Sequence, residues 1–137
     1  TSEVTAFRYD AGRGILTEFQ TISTLPEEYA QINHTAGIRI TPDGRFLYVS
    51  NRGHNSIAVF AIGPTTGMLT AVAQEPTVAI PRAFNIDPSG KFMLVGSLES
   101  GEIATYRIDS ESGRLGHVET QKVGVEPMWI HITEPVG

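Results

Sequence analysis

An internal repeat of 46 residues is the feature of this sequence that most restricts its fold. When residues 40–72 are aligned without gaps on residues 86–118, 11 of the 33 positions are identical. In the first copy these are Ile40, Pro42, Gly44, Phe46, Val49, Ile57, Ala58, Ile62, Gly67, Leu69 and Val72. The same spacing continues from Pro81 to Pro127, so a third copy begins near the end of the chain. A period of roughly 40 to 50 residues is typical of a structural unit that is stacked side by side with its neighbours.

Each copy contains four short β-rich runs, named A to D in chain order, which are separated by turn residues such as Pro-Asp-Gly. Residues 38–75 and 83–123 each supply a complete set of four strands. Residues 1–24 supply strands C and D of a preceding unit, and residues 127–133 supply strand A of a following one. We therefore predict an all-β segment of a β-propeller with antiparallel four-stranded blades, about eleven strands and no helix. A β-sandwich also has many short strands, but its sequence does not repeat.

Composition excludes several classes of function. The net charge is −5, with ten Lys and Arg against fifteen Asp and Glu, which argues against a nucleic-acid partner. No apolar run is long enough to span a membrane, so no membrane partner is expected. The sequence contains no cysteine, which excludes disulfides and zinc–thiolate sites and fits a cytoplasmic location. The four histidines show no metal-ligand spacing, and we expect neither a metal nor a cofactor.

One run of twenty residues carries a family resemblance. Residues 41–60, TPDGRFLYVSNRGHNSIAVF, closely resemble the lactonase family of seven-bladed propellers, which includes the propeller-type 6-phosphogluconolactonases and the carboxy-muconate lactonising enzymes. Residues 81–91, PRAFNIDPSGK, and residues 124–129, GVEPMW, are similar to later segments of that family. The resemblance covers nearly the whole chain and corresponds to the last third or so of a family member. It implies a lactone as substrate.

Two positions depart from the family pattern. Where relatives usually have an acidic residue before the first complete A strand, this chain has Gly37. Where relatives often have Asn-Gln after the second B strand, this chain has Ser97-Leu98-Glu99. If the acidic residue is catalytic in relatives, Gly37 removes it from this chain.

The order of the connections between strands predicts which face of the propeller holds the candidate site residues. In a propeller the D-to-A and B-to-C connections emerge on one face near the central channel, and the A-to-B and C-to-D turns emerge on the other. The channel face collects His34, Asn51, Arg52, His54, Arg82 and Glu126. Arg82 is a catalytic candidate, because a guanidinium suits a carboxylate, a phosphate or the oxyanion of ring opening. Alternatively, it holds the carbonyls of a neighbouring loop.

Three further channel-face residues are candidates. His34 can serve as a general base near neutral pH, or it is a solvated loop residue. Asn51 and Arg52 are candidates for substrate binding, although an asparagine here can instead close a turn.

Polar residues also recur in the A strands. Arg39, Asn85 and His131 lie 46 residues apart, each flanked by apolar residues. Because the A strand is innermost, these side chains either line the channel and bind substrate or hydrogen-bond between blades.

The resemblance thus implies a lactone hydrolase, 6-phosphogluconolactonase-like, acting on a sugar lactone in the oxidative pentose phosphate route. The alternatives are a non-catalytic propeller module that binds a ligand or partner on the same face, and a muconate-type lactonising enzyme. Two complete blades cannot close a ring, and Met128, Trp129 and Ile130 lack a sheet to join. We therefore expect the chain to meet the remaining blades of a longer polypeptide or other copies of itself.

Overall fold

The computed structural model describes residues 1–135 as ten strands, with no helix among them. The strands are β1 (Glu3–Asp10), β2 (Ile15–Ser23), β3 (His34–Ile40), β4 (Phe46–Arg52), β5 (Ser56–Ile62), β6 (Leu69–Pro76), β7 (Pro81–Ile86), β8 (Phe92–Ser97), β9 (Glu102–Ile108) and β10 (Leu115–Lys122). None of the described residues therefore belongs to a helix that could cross a membrane.

The ten strands form three antiparallel sheets. Strands β3-β4-β5-β6 form one four-stranded meander and β7-β8-β9-β10 form a second, while β1 and β2 form a two-stranded hairpin. In each meander the first strand corresponds to A and the last to D, and the hairpin corresponds to C and D of a preceding blade. The predicted all-β propeller segment is confirmed.

Matching turns show that the sequence repeat is also a structural repeat. Gly44 and Gly90, 46 residues apart in the two A-to-B turns, have φ angles of 74° and 72°. Gly67 and Gly113 in the C-to-D turns have φ angles of 71° and 73°. Residues with a Cβ rarely adopt this left-handed conformation, so glycine is needed at both turns of each blade.

The central blade is apolar on both faces because it lies between two neighbours. Tyr48 and Val59 face the second complete blade, where they pack in a cluster with Met93 and Val95. The alternate residues of the same strands, including Leu47 and Phe60, face the hairpin and pack with Val4 and Leu69. Strand side chains alternate between faces, so β4 and β5 read as continuous apolar runs. Burying each large side chain contributes about 1.5–3 kcal/mol.

Polar contacts between the complete blades accompany this packing. The buried Tyr48 hydroxyl donates a hydrogen bond to the backbone carbonyl of Gly113 at 2.8 Å. Nη1 of Arg45 donates to the carbonyl of Ser110 at 2.8 Å. These contacts join the first complete blade to the C-to-D turn of the second and fix the angle between them.

The predicted final strand is wrong for the described residues, because none of residues 123–135 is in a strand. The segment nevertheless packs against the second complete blade. Ile130 is buried, and its backbone carbonyl accepts a hydrogen bond from Nδ2 of Asn85 at 3.1 Å. A strand is defined by backbone pairing, and no second strand pairs with residues 128–132 among the residues described here.

Large apolar side chains remain exposed where blades lack neighbours, as the incomplete ring predicts. They include Phe7, Tyr9, Leu16, Ile38, Ile40 and Trp129. A mainly apolar groove of about 420 Å³ separates the hairpin from β3. A contiguous exposed apolar surface of this kind is typical of interaction sites.

Candidate functional site

The strand registers place the predicted channel-face residues at one end of the blades. His34 is opposite Arg52 where β3 begins and β4 ends, whereas Ile40 is opposite Leu47 beside the turn that holds Asp43. In the second blade, Pro81 is opposite Ser97 next to Arg82, at the end of the sheet away from Ser89. These registers place Asn51, Arg52 and Arg82 near one end of their blades and the turns that hold Asp43 and Ser89 at the other end.

A cleft of about 450 Å³ opens at this end, between the inner strands of the two blades and the segment 128–130. We call it the arginine cleft, because Arg39, Arg52 and Arg82 all line it. Its twelve described lining residues include no carboxylate. In a chain whose net charge is −5, this is a local excess of positive charge. Neighbouring guanidinium groups repel one another, and an anion in the cleft relieves that repulsion.

A β-bulge aims Arg82 into the cleft. In β7, Pro81 pairs with Ser97 and Ala83 pairs with Gly96, so Arg82 is the extra residue. Bulges bend a strand and redirect side chains, and they are frequent beside functional sites.

The same bulge recurs in the first complete blade, where Ala36 and Gly37 together oppose Ser50. Ala36, Arg82 and Met128 occupy equivalent repeat positions, 46 residues apart, and all three line the cleft.

Arg39 and Arg52 differ in how they are held. Arg39 is anchored, because its Nε donates to Oδ1 of Asn85 at 3.3 Å and its Nη1 donates to the carbonyl of Ile38 at 2.7 Å. The Nε of Arg52 is buried without a hydrogen-bond partner among residues 1–135. A buried donor left unpaired costs about 1–3 kcal/mol, so Arg52 is poised to gain a partner.

Hydrogen bonding between blades explains two of the three recurring A-strand residues. Asn85 accepts from Arg39 of the preceding blade and donates to the carbonyl of Ile130 in the following segment. Arg39 and Asn85 thus hydrogen-bond between neighbouring segments, and Arg39 also lines the cleft. The side chain of His131 is exposed and is not part of this series of hydrogen bonds, because the acceptor is the backbone carbonyl of its neighbour Ile130.

Asn51 is fully buried, and its amide is already satisfied. Its Oδ1 accepts from Oγ1 of Thr24 at 2.8 Å and from Nδ2 of Asn33 at 3.1 Å. Its Nδ2 donates to the carbonyl of Thr24 at 2.9 Å and to Oγ of Ser56 at 3.2 Å. In this structure Asn51 therefore ties β4 to the 24–33 connection and has no group left for a substrate. Sequence alone could not separate this role from binding.

His34 lies beside the arginine cleft rather than in it. It lines an adjoining cavity of about 430 Å³ together with Arg52 and Glu99. We call this the Glu99 cavity. Because Arg52 lines both spaces, it forms the wall between them. The other channel-face histidine, His54, bonds through Nδ1 to Oγ of Ser56 at 2.7 Å and packs edge-on against Tyr29, as a structural residue would.

Sequence reasoning did not single out Trp129 or Glu99 as site residues, although both line these spaces. The Ser97-Leu98-Glu99 segment departs from the family pattern. Its place in a B-to-C connection was the signal that could have identified Glu99.

The meanders, their shared inner face and the cleft between them define a β-propeller. The chain matches the family described as "Lactonase, 7-bladed beta-propeller" over residues 1–132. It belongs to this lactonase family of seven-bladed β-propellers.

Similar proteins agree with this assignment. A 6-phosphogluconolactonase of Pectobacterium carotovorum is 35% identical over 131 residues, which cover 96% of this chain and 40% of that protein. A putative 6-phosphogluconolactonase structure from Bacteroides fragilis has a TM-score of 0.85 at 35% identity, covering 93% of this chain and 35% of its own. The periplasmic gluconolactonase structure of Pseudomonas aeruginosa has a TM-score of 0.84 at 30% identity, covering 91% and 35% respectively. The chain thus spans 40% of the length of the curated relative it matches.

Proposed function

We propose that this chain forms part of a lactone hydrolase whose substrate is an anionic sugar lactone, 6-phosphogluconolactone in the first instance. The arginine cleft carries the proposal, because three guanidinium groups line it and no carboxylate lies among its described lining residues. Guanidinium forks match phosphate and carboxylate oxygens in geometry and charge. The relative from Pectobacterium is named a 6-phosphogluconolactonase, in keeping with such a substrate.

In the proposed reaction, water attacks the carbonyl carbon of the lactone and the carbonyl oxygen becomes an oxyanion. Arg82 lines the cleft on a bulge and stabilises this charge, while Arg52 and Arg39 hold the anionic group of the substrate. The bond between the carbonyl carbon and the ring oxygen then breaks, and the product is an open-chain hydroxy acid.

His34 is the proposed general base. It takes a proton from the attacking water and returns one to the ring oxygen as that oxygen leaves. Its position supports this role, since it is the residue opposite Arg52 in the strand register and it lines the adjoining cavity.

The other candidates have supporting roles. Asn51 holds β4 through its four hydrogen bonds, and Asn85 holds Arg39. His131 is exposed next to the cleft segment and is proposed only as a residue at the rim of the substrate site.

A lactonase assay on the complete propeller that carries this sequence tests the proposal. We expect kcat/KM to be higher for 6-phosphogluconolactone than for unphosphorylated gluconolactone, because the cleft binds an anion. Absence of turnover with either lactone, above the spontaneous rate, would contradict the proposed enzyme.

A non-catalytic module that binds an anionic ligand is the second candidate. The observation that favours it is Gly37, which places no carboxylate at the cleft. Binding of 6-phosphogluconate without hydrolysis of the lactone would support this alternative. Conversion of a carboxymuconate to its lactone would instead support a muconate-type enzyme.

A place in the oxidative pentose phosphate route follows from the proposed substrate, and a cytoplasmic location goes with it. The Pseudomonas relative is described as periplasmic, so location varies among similar proteins. Fractionation of cells that produce the complete protein tests this part of the proposal.

A further inference from the structure

The three arginine side chains of the cleft cannot supply every hydrogen bond that a sugar substrate requires. Guanidinium groups only donate hydrogen bonds, which suits phosphate oxygens. Sugar hydroxyls also donate and therefore need acceptors, which the three arginine side chains cannot provide. The Glu99 cavity, on the other side of Arg52, contains a carboxylate and an imidazole. A carboxylate accepts hydrogen bonds through two oxygens, and a neutral imidazole accepts one.

We propose that Glu99 is a specificity-determining residue that accepts hydrogen bonds from the hydroxyl groups of the substrate. The anionic end of the substrate lies in the arginine cleft and its polyhydroxyl part lies in the Glu99 cavity, with Arg52 between them. This inference rests on the proposed function and names the second half of the same site.

The turn that carries Glu99 is held on both sides. The backbone N–H of Leu98 donates to the carbonyl of Ile80 at 3.1 Å. Oγ of Ser97 donates to the carbonyl of Ala79 at 2.6 Å and accepts from the N–H of Ser100 at 3.0 Å. Glu99 is thus the tip of a fixed turn, and its carboxylate is exposed toward solvent instead of buried in the blade.

Two other residues that line the cavity, Asn55 and Ile80, adopt backbone conformations that carry a conformational cost. Ile80 has a φ of 48°, which a β-branched residue rarely adopts, and Asn55 has a φ of 55°. The Oδ1 of Asn55 accepts from the N–H of Ile80 at 3.0 Å, which holds both residues in place. Strained backbone that is fixed by its surroundings is common in ligand sites. The buried, unpaired Nε of Arg52 adds an unused donor in the shared wall.

Binding measurements on the complete propeller test the inference without requiring turnover. The probes are 6-phosphogluconate, which carries hydroxyls and anionic groups, and inorganic phosphate, which carries only the anion. We expect Glu99→Ala to weaken binding of 6-phosphogluconate tenfold or more and to leave binding of phosphate unchanged. Glu99→Gln keeps one acceptor oxygen, so its affinity for 6-phosphogluconate is expected to lie between those of the wild type and Glu99→Ala. Glu111→Ala, in a C-to-D turn on the opposite face, is the control and is expected to bind like the wild type.

The result that overturns the inference is equal binding of 6-phosphogluconate by wild type, Glu99→Ala and Glu111→Ala. Equal weakening of both probes by Glu99→Ala also overturns it, because the residue would then act on the anion or on folding. If the predicted binding pattern holds but no lactone is hydrolysed, the proposed enzyme fails while the hydroxyl subsite stands. If hydrolysis occurs without the pattern, the subsite fails alone.

Discussion

The ring of Phe84 occupies the space beside Gly37, so that a Cβ added at Gly37 would lie 2.8 Å from Cε1 of Phe84. Phe84 is buried in the cluster between the two complete blades. We expect Gly37→Ala to destabilise the protein by about 1–3 kcal/mol, because the ring has little room to move. Denaturant unfolding of the complete propeller measures this change.

The double variant Gly37→Ala/Phe84→Leu is the control for this steric explanation. Leucine lacks the ring atoms that approach position 37, so most of the cost of the alanine should disappear in this background. Additive effects of the two substitutions would show that the contact is not the cause.

Arg82→Ala tests the catalytic role assigned to the bulge residue. We expect kcat/KM for the lactone to fall tenfold or more, about 1.4 kcal/mol of transition-state stabilisation or above. Arg13→Ala is the matched control, because Arg13 is an exposed arginine in a turn on the opposite face. Unchanged kinetics in Arg82→Ala would make Arg82 a structural residue.

Tyr48→Phe tests the polar contact between blades. The substitution leaves the carbonyl of Gly113 without the donor that now lies 2.8 Å away. We expect a loss of about 1–2 kcal/mol in the free energy of unfolding, with little change in packing. Tyr9→Phe, at a residue that is 66% exposed, should change stability by no more than about 0.5 kcal/mol. Equal effects of the two variants would contradict the assignment.

Acid should weaken the fold through the turns on the opposite face. The pKa of Asp43 is lowered mainly by a hydrogen bond from the Thr41 hydroxyl and, to a smaller extent, by one from the backbone N–H of Arg45. Hydrogen bonds from Ser112 lower the pKa of Asp109. A carboxyl group whose pKa is lower in the folded state stabilises the fold at pH values above its pKa in the unfolded chain, which is about 3.9. That stabilisation is lost as the pH falls through the pKa of the folded state.

We therefore expect the free energy of unfolding to decrease as pH is lowered from about 5 to about 3, with a shallower decrease in the variant Asp43→Asn/Asp109→Asn. Urea unfolding at a series of pH values measures this difference. Glu111→Gln is the control for loss of one surface charge, and identical pH slopes in all three proteins would refute the prediction.

The isolated 137-residue chain should associate through its open blade faces. Trp129 is 75% exposed and Tyr9 is 66% exposed, and leaving large apolar side chains uncovered forgoes about 1.5–3 kcal/mol each. We expect sedimentation of this chain to show association between copies. A stable, isolated monomer of 14.8 kDa would contradict this expectation.

Much of the architecture was predictable because blade packing repeats in the sequence. The apolar matches such as Ile57 and Ile103, and the turn glycines, record contacts that recur every 46 residues. The final strand was not predictable as observed, since pairing depends on a partner that sequence pattern does not show. Likewise, the burial of Asn51 depends on Thr24 and Asn33, which are remote in the chain and outside the repeat.

The bulge in the A strand lets the side chain at one position vary while the rest of the blade stays the same. At equivalent bulge positions the two complete blades present Ala36 and Arg82 to the same cleft, while their turn glycines keep nearly the same φ angles. A residue at this position can therefore change from small to cationic without altering the blade that presents it. Duplication of such a unit generates new combinations of binding groups, which is a simple route by which one propeller family can acquire different ligands.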